Sequence, residues 1–355
     1  MARQKNYPIV FLLVFVGIGT LWLIMSLGGC GKEQTTPPLD LTRAGWVCDS
    51  QSSKVMKYKI DGSEKLLEID SERFLFPQDI SVDTRDGSCW VADTYNRRVV
   101  KLSASNGEFL VWTMPSDWFR LTSVAVDGAS GNLWIADHDR GEVHIVDQNA
   151  QFIATIAGFN YPFHLAVDQN DGGCWVADQG SPNFVCKLPA GLTGMVNRSD
   201  VQTVYFEALG LFFCVPEEGN GGVWTCEASG ENYQIGRYDA GGNLLDGISG
   251  LTNPGALALD EGRGVVWICD NDSGILYRVS SDLAGVSDIT ELSPVQLTGF
   301  STIVDMAVDR ETGNLWVVDR SANQVVIVSP AGDERLVTLT GFEEPCSVSL
   351  MDVEE

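Results

Sequence analysis

A tryptophan followed three residues later by an acid recurs seven times along this 355-residue chain, at Trp46, Trp90, Trp134, Trp175, Trp224, Trp267 and Trp316. The intervals are 44, 44, 41, 49, 43 and 49 residues, and the acids are Asp49, Asp93, Asp137, Asp178, Glu227, Asp270 and Asp319. Self-similarity at such a period restricts the chain to architectures built by stacking one supersecondary unit. It also sorts the residues: those present in every copy build the body, and recognition is left to positions where the copies differ.

Each copy reads as four short strands. Strand A ends in a small-apolar-Asp sentence, as in DISVD (79–83), SVAVD (123–127), HLAVD (164–168), ALALD (256–260) and DMAVD (305–309). A D-x-x-x-G turn follows, with glycine where a hairpin needs a positive φ. Strand B carries the Trp, a polar loop leads to strand C (VVKL at 99, VHIV at 143, VVIV at 325), and strand D closes the unit. Alternation of period two with turn signals every 8–12 residues predicts antiparallel sheet and no amphipathic helix beyond residue 31. Four-stranded units of about 44 residues predict an all-β, seven-bladed β-propeller over residues 44–355. The first unit starts at strand B, and the last segment, PCSVSL (345–350), matches strand A entries such as PQDISV (77–82). The C-terminal strand is therefore expected to complete blade 1 and close the ring, removing the sheet edge there.

Repeated positions receive structural roles. The seven Trp residues are expected to pack between successive blades, and the acids after them to accept backbone N–H bonds from the turn that follows. Phe74, Trp118, Phe159, Leu251, Phe300 and Phe342 share one slot three residues before strand A and read as packing residues, whereas Trp112 fits no slot. Cysteines occupy slots that other blades fill with Ala or Leu: Cys48, Cys226 and Cys269 replace Ala92, Cys89 and Cys174 replace Leu133, and Cys214 aligns with Ala125. Thiols in such slots behave as small hydrophobes. Most are expected to be free, with Cys214–Cys226 the one hairpin pair left open. Blade 5 is read as irregular, with Pro216 in place of the Asp that ends strand A and one extra turn residue.

The informative variable position is the third residue of strand A, read as Asp79, Ser123, His164, Phe212, Ala256, Asp305 and Ser347. These side chains are expected to converge on a central channel mouth. Asp79, Asp305 and His164 are candidate ligands for a divalent metal, calcium or zinc, in the channel; a solvated polar lining is the other reading. His138 stands in a B–C loop of the blade next to that of His164, so an acid–base pair is considered, while His144 alternates within strand C as a packing residue. Tyr95, Arg97, Arg98, Arg320 and Asp272 share the same loop face and are candidates for engaging a protein, peptide or glycan. The DNDSG run at 270–274 lacks the closing Glu of a calcium loop, with Ser281 in its place, and reads as a turn.

CWVADTYNRRVVKL (89–102) resembles the repeat sentence of the NHL family, and the likeness extends over about 310 residues. That resemblance implies a propeller but no particular activity. NHL-like lyases that act on amidated-peptide precursors hold a channel metal through His residues of several blades; His164 is the only match, so a three-His zinc site does not carry over. Streptogramin-lyase-like propellers also have seven blades, but their Trp motif ends in Thr-Glu rather than Ala-Asp.

Arg3 and Lys5 precede an apolar run from Ile9 to Ile24, and small residues then lead to Cys30. The pattern is that of an export signal, and its end resembles the lipobox of bacterial lipoproteins. The resemblance implies cleavage before Cys30, lipidation of its thiol, and a location in the cell envelope, periplasmic or at the outer membrane. The rival is an uncleaved anchor, since Ile9 to Gly29 is just long enough to span a bilayer. Residues 1–29 thus read as signal, 30–43 as a lipidated, Pro-containing tether, and 44–355 as the propeller. Loss of 1–29 leaves 21 basic against 48 acidic residues, a charge that repels phosphate backbones and argues against a nucleic-acid partner. The expected function is a membrane-tethered binding or scaffolding module; the alternative is a metal-assisted lyase or hydrolase centred on Asp79, His164 and Asp305.

Overall fold

The computed structural model describes residues 43–70, 72–208, 211–227, 234–283 and 285–351. The expected signal, Cys30 and nearly all of the expected tether lie outside the described residues. Among those described, no helix is long and apolar enough to cross a membrane.

Seven antiparallel sheets form, one for each Trp-bearing unit. Blade 2 illustrates the plan: strand A is Pro77–Val82, B is Cys89–Asp93, C is Arg98–Leu102 and D is Phe109–Thr113. Blade 1 takes its strand A from the far end of the chain. Pro345–Met351 pairs antiparallel with Ala44–Asp49, so the ring closes as its ends predict. Two sheets exceed the expected four strands. Gly194–Asn197, from the C–D connection of blade 4, adds in parallel to the outer strand of blade 3, and Val286–Asp288 of blade 6 does the same for blade 5. Each covers an outer edge that would otherwise present unpaired backbone. A short α-helical turn, Arg198–Val201, follows the first of them.

The core lies between blades. Trp90 is buried against Val124 and Ile135 of blade 3, Trp134 against Leu165 and Val176 of blade 4, and Trp316 against Val47 and Val348 of blade 1. A Cβ at Gly45 would meet the Trp316 ring at 2.7 Å, so glycine is what lets the last blade seat on the first. On its other side the indole is covered by a cation from strand C: Lys57 over Trp46, Lys101 over Trp90, Lys187 over Trp175, Arg237 over Trp224 and Arg278 over Trp267, at 5.6 to 5.9 Å from the ring centroids. Antiparallel pairing places each cation directly opposite its Trp. Several of these cations are then neutralised by the acid of the A–B turn, as Lys101 by Asp83 at 3.1 Å and Lys187 by Asp168 at 2.7 Å.

The repeated acids are buried caps, but their donors differ from those expected. Asp137 accepts from Phe119 and Arg120 N–H (2.9 and 3.1 Å), Asp319 from Ser301 and Thr302, and Asp49 from Glu343 and Glu344 (2.7 and 3.0 Å). The carboxylate chiefly ties down the loop entering strand A of its own blade; bonds to the following turn, as from Ser52 N–H to Asp49, are the minor part.

Blade 5 is regular once its frame is moved by one residue. Val215 faces Trp224, and Glu217 takes the turn position held by Asp83 in blade 2, with Gly221 N–H returning to Glu217 O as Gly87 N–H does to Asp83 O. There is no extra turn residue, and Pro216 matches Val82. Cys214 therefore stands opposite Thr225, one position away from Ala125 and Ala166, which face Trp. Cys214 and Cys226 are not paired: the sulfur of Cys214 contacts His164 and that of Cys226 contacts Pro254 O. Trp112, which fitted no slot, is exposed on the outermost strand of blade 2.

Candidate functional site

Strand A of nearly every blade slips register after its first residue, as between Pro77 and Asp79, Leu121 and Ser123, Pro162 and His164, and Ile303 and Asp305. The second residue is a bulge, and bulges re-aim the side chains beside them. The third residue consequently points along the ring toward the next blade instead of straight into the channel. In blade 5 this residue is Phe213, not Phe212, the same one-residue frame correction as above.

The result is a belt of hydrogen bonds between innermost strands. Asp79 accepts from Val124 N–H of blade 3 at 2.8 Å, Ser123 from Leu165 N–H of blade 4 at 3.2 Å, and Asp305 from Val348 N–H of blade 1 at 2.8 Å. Ser81 and Ser349, two residues further on, repeat the link to Val126 and Val82. His164 receives Cys214 N–H at 3.5 Å and stacks on Phe213, with centroids 3.9 Å apart. Between blades 6 and 7, where the third residue is Ala256, Asn271 of the B–C loop bridges instead, to both N and O of Ile303.

Asp79 and Asp305 meet across one hydroxyl. Ser347 donates to Asp79 Oδ1 at 2.8 Å and is also hydrogen-bonded to Asp305. Burial, and then the charge of Asp79, push the Asp305 carboxyl up to about 7. Burial raises Asp79 as well, against the N–H and hydroxyl donors that favour its charged form. The two carboxyls therefore titrate as a coupled pair, and the raised proton affinity belongs to both. His164 moves the other way, down to about 4 by burial, and is a neutral ring at physiological pH.

This geometry bears on the metal candidates. Asp79 and Asp305 commit their oxygens to Ile80, Val124, Met306 and Val348 N–H and to Ser347, while His164 turns to Phe213 and Cys214. Among the described residues no group of three or more His, Cys, Asp or Glu side chains is spaced to hold a metal ion. The donor set does not fit one. The two histidines are likewise engaged separately, His138 with Asp139 at 2.6 Å and the Tyr161 ring at 5.0 Å. His144 is buried, bonded to Thr155 and stacked on Trp118, as a packing residue should be.

Above the belt a cavity of about 360 Å³ opens at the end of the ring carrying the B–C and D–A loops. Asp79, His164, Phe213 and Asp305 line its floor, and Phe76, Phe163, Arg120, Arg320 and Glu344 stand higher on its wall. Around it, blades 2 to 4 hold exposed apolar and aromatic side chains: Leu75 and Phe119 at 49%, Tyr161 at 49% and Tyr95 at 61% of full exposure. Three are pre-set by stacking. Tyr95 lies on Phe76 with centroids 4.6 Å apart and planes at 12°, Tyr161 lies on His138, and the Arg97 guanidinium sits 4.5 Å from the Phe119 centroid. Blades 6, 7 and 1 offer Asn253, Thr302 and Glu344 at the corresponding place, so the rim is aromatic on one arc and polar on the other.

Of the sequence candidates, Tyr95, Arg97 and His138 fall on the aromatic arc and Arg320 on the cavity wall. Arg98 is tied to Asp93 at 2.7 Å and to Arg73 O, a framework role. Asp272 accepts from Asn253 in an ordinary turn. Leu75, Phe119 and Tyr161 were missed. They occupy the two positions just before strand A, where LF, FR and NY in blades 2 to 4 face TN, ST and EE in blades 6, 7 and 1; comparing those columns would have found them.

No protein-family model matches the chain, and no curated protein matches it in sequence. Solved structures match in fold. A functionally unknown protein from Desulfotomaculum acetoxidans DSM 771 superposes with a TM-score of 0.67 at 13% identity, over 88% of this chain and 100% of that one. A chain of Kuenenia stuttgartiensis hydrazine synthase gives 0.64 at 13% identity, over 77% and 89%. A chain from a nidogen/laminin complex gives 0.55 at 11% identity, over 88% and 100%. At these identities the likeness is one of fold. The chain is a seven-bladed β-propeller of four-stranded blades closed by its C-terminal strand, an architecture compatible with a binding or scaffolding module.

Proposed function

We propose that this chain is an NHL-like propeller tethered on the extracytoplasmic side of a membrane by a lipidated Cys30, and that it binds a protein or peptide segment over the aromatic arc of blades 2 to 4. The observation carrying the reading is that arc: Leu75, Tyr95, Phe119 and Tyr161 are exposed together, and three of them are held in place by Phe76, Arg97 and His138. Rigid aromatic anchors around a pocket are the composition of interaction hot spots, because they bury large area on binding at little entropic cost. Arg97 lies over the Phe119 ring at the rim of a strongly acidic body, and Arg120 and Arg320 stand there with acids 3.9 Å away, Asp139 and Glu344. They favour a segment that brings an aromatic or aliphatic side chain together with a carboxylate. The belt beneath serves as a rigid floor.

The test is a peptide array probed with wild-type protein and with Tyr95→Ala and Tyr161→Ala. Peptides pairing an aromatic or aliphatic residue with Asp or Glu should bind, and each substitution should weaken them at least tenfold. Binding confined to a parallel glycan array would replace the peptide with a sugar. Silence on both arrays would remove the binding reading.

A further inference from the structure

The ring closes where two cysteines meet. Cys48 lies on strand B of blade 1 and Cys346 on the C-terminal strand that completes that blade, and their sulfurs stand 2.7 Å apart although 298 residues separate them. That spacing is inside the contact distance of two non-bonded sulfurs. The register explains it. Asp49 pairs with Pro345 and Cys48 with Ser347, so Cys346 is the bulged residue between them and its side chain is turned onto Cys48. No other blade repeats the pair: where Cys346 stands, blades 2, 3, 4, 6 and 7 have Gln78, Thr122, Phe163, Gly255 and Val304. Both thiols are buried, and burial together with its partner raises the Cys48 thiol well above its ordinary range.

We infer that Cys48 and Cys346 form a disulfide that locks the ring at its only junction between chain ends, the other described cysteines remaining thiols. The step is thiol–disulfide exchange: the two thiols lose two protons and two electrons to a donor disulfide, which leaves as two thiols. Because both sulfurs are enclosed once the last strand docks, the bond forms while blade 1 is being completed. Its formation in the cell rests on the proposed export, since reducing compartments keep such pairs open. The pair's competence to form does not.

Two measurements keep these apart. Full-length chain is reduced, unfolded and refolded in oxidised and reduced glutathione, then alkylated in denaturant and digested. A linked peptide pair carrying Cys48 and Cys346, two hydrogens lighter than its reduced form, is expected. In Cys346→Ser that pair should vanish with no other taking its place. The bridged protein should show an unfolding equilibrium constant at least 100-fold smaller than the same protein after reductant, a difference absent from Cys346→Ser. Refolded wild type with both residues alkylated, or a linkage between other cysteines, would overturn the inference. Chain isolated directly from cells under thiol-trapping alkylation tests export separately: bridged protein supports both readings, while protein that is reduced in cells but bridges in glutathione upholds the pair and counts against export.

Discussion

Replacing Asp305 with asparagine should change how stability depends on pH, and the structure sets the size of the change. Asp305 is held at about 7 in the fold, against an ordinary 3.8, by burial and by Asp79. A carboxyl that binds its proton more tightly in the fold contributes stability that is fully present below the unfolded value and is lost as pH rises through the folded one. At about 1.4 kcal/mol per tenfold in proton affinity, the full difference amounts to about 4 kcal/mol, of which about 3 kcal/mol falls between pH 5 and 8. The asparagine side chain carries no ionisable group, and its amide opposes one of the N–H donors from Met306 and Val348, a cost that does not vary with pH. The mutant should therefore gain on wild type by about 3 kcal/mol on going from pH 5 to pH 8. Urea unfolding at half-unit steps, with wild type and Asp305→Asn compared at each pH, isolates this slope from His164, whose effect runs the other way. Parallel curves would mean that Asp305 ionises in the fold as it does in the unfolded chain. The account of a buried, coupled carboxyl pair would then be wrong.

His164 is held near 4, below its ordinary 6.5, so its contribution is present above pH 6.5 and is lost as pH falls through 4. His164→Gln should flatten the acid side of the stability profile, read by the same titration. Asp137→Ala leaves Phe119 and Arg120 N–H without their acceptor and should cost about 2 to 4 kcal/mol in urea unfolding. Tyr95→Ala and Tyr161→Ala remove exposed rings and should move the unfolding free energy by no more than about 1 kcal/mol, so that any loss of binding is a loss of contact.

The body of the molecule was legible because every structural device in it is repeated. Seven Trp residues, seven acids and a displaced strand A are visible as spacing alone, and together they imply blade count, core and closure. The floor of the site was legible in part for the opposite reason: Asp79, His164 and Asp305 stand out as ionisable residues in a column followed by an apolar one, Ile80, Val124, Leu165, Leu257, Met306 and Val348. Their roles were not legible. A bulge at the second residue of strand A turns them along the ring, and a bulge leaves no mark in a pattern of period two. The blade 5 slip had one origin, a Pro216 taken for the turn acid when Glu217 holds that place. Leu75, Phe119 and Tyr161 of the aromatic arc escaped because they closely follow a true packing column, Phe74, Trp118 and Phe159, and were absorbed into it. The meeting of Cys48 with Cys346 was not legible, since the expected closure brings the two strands together but does not show the bulge that turns Cys346 onto Cys48.

Amide hydrogen exchange across Ser347 to Met351 tests the ring most directly. Paired to Ala44–Asp49 and lying against blade 2, those amides should exchange only with global unfolding, as slowly as the amides of strand A in blade 3. Exchange at the rate of an unstructured terminus, with the remaining blades still protected, would contradict a propeller whose last strand completes its first sheet.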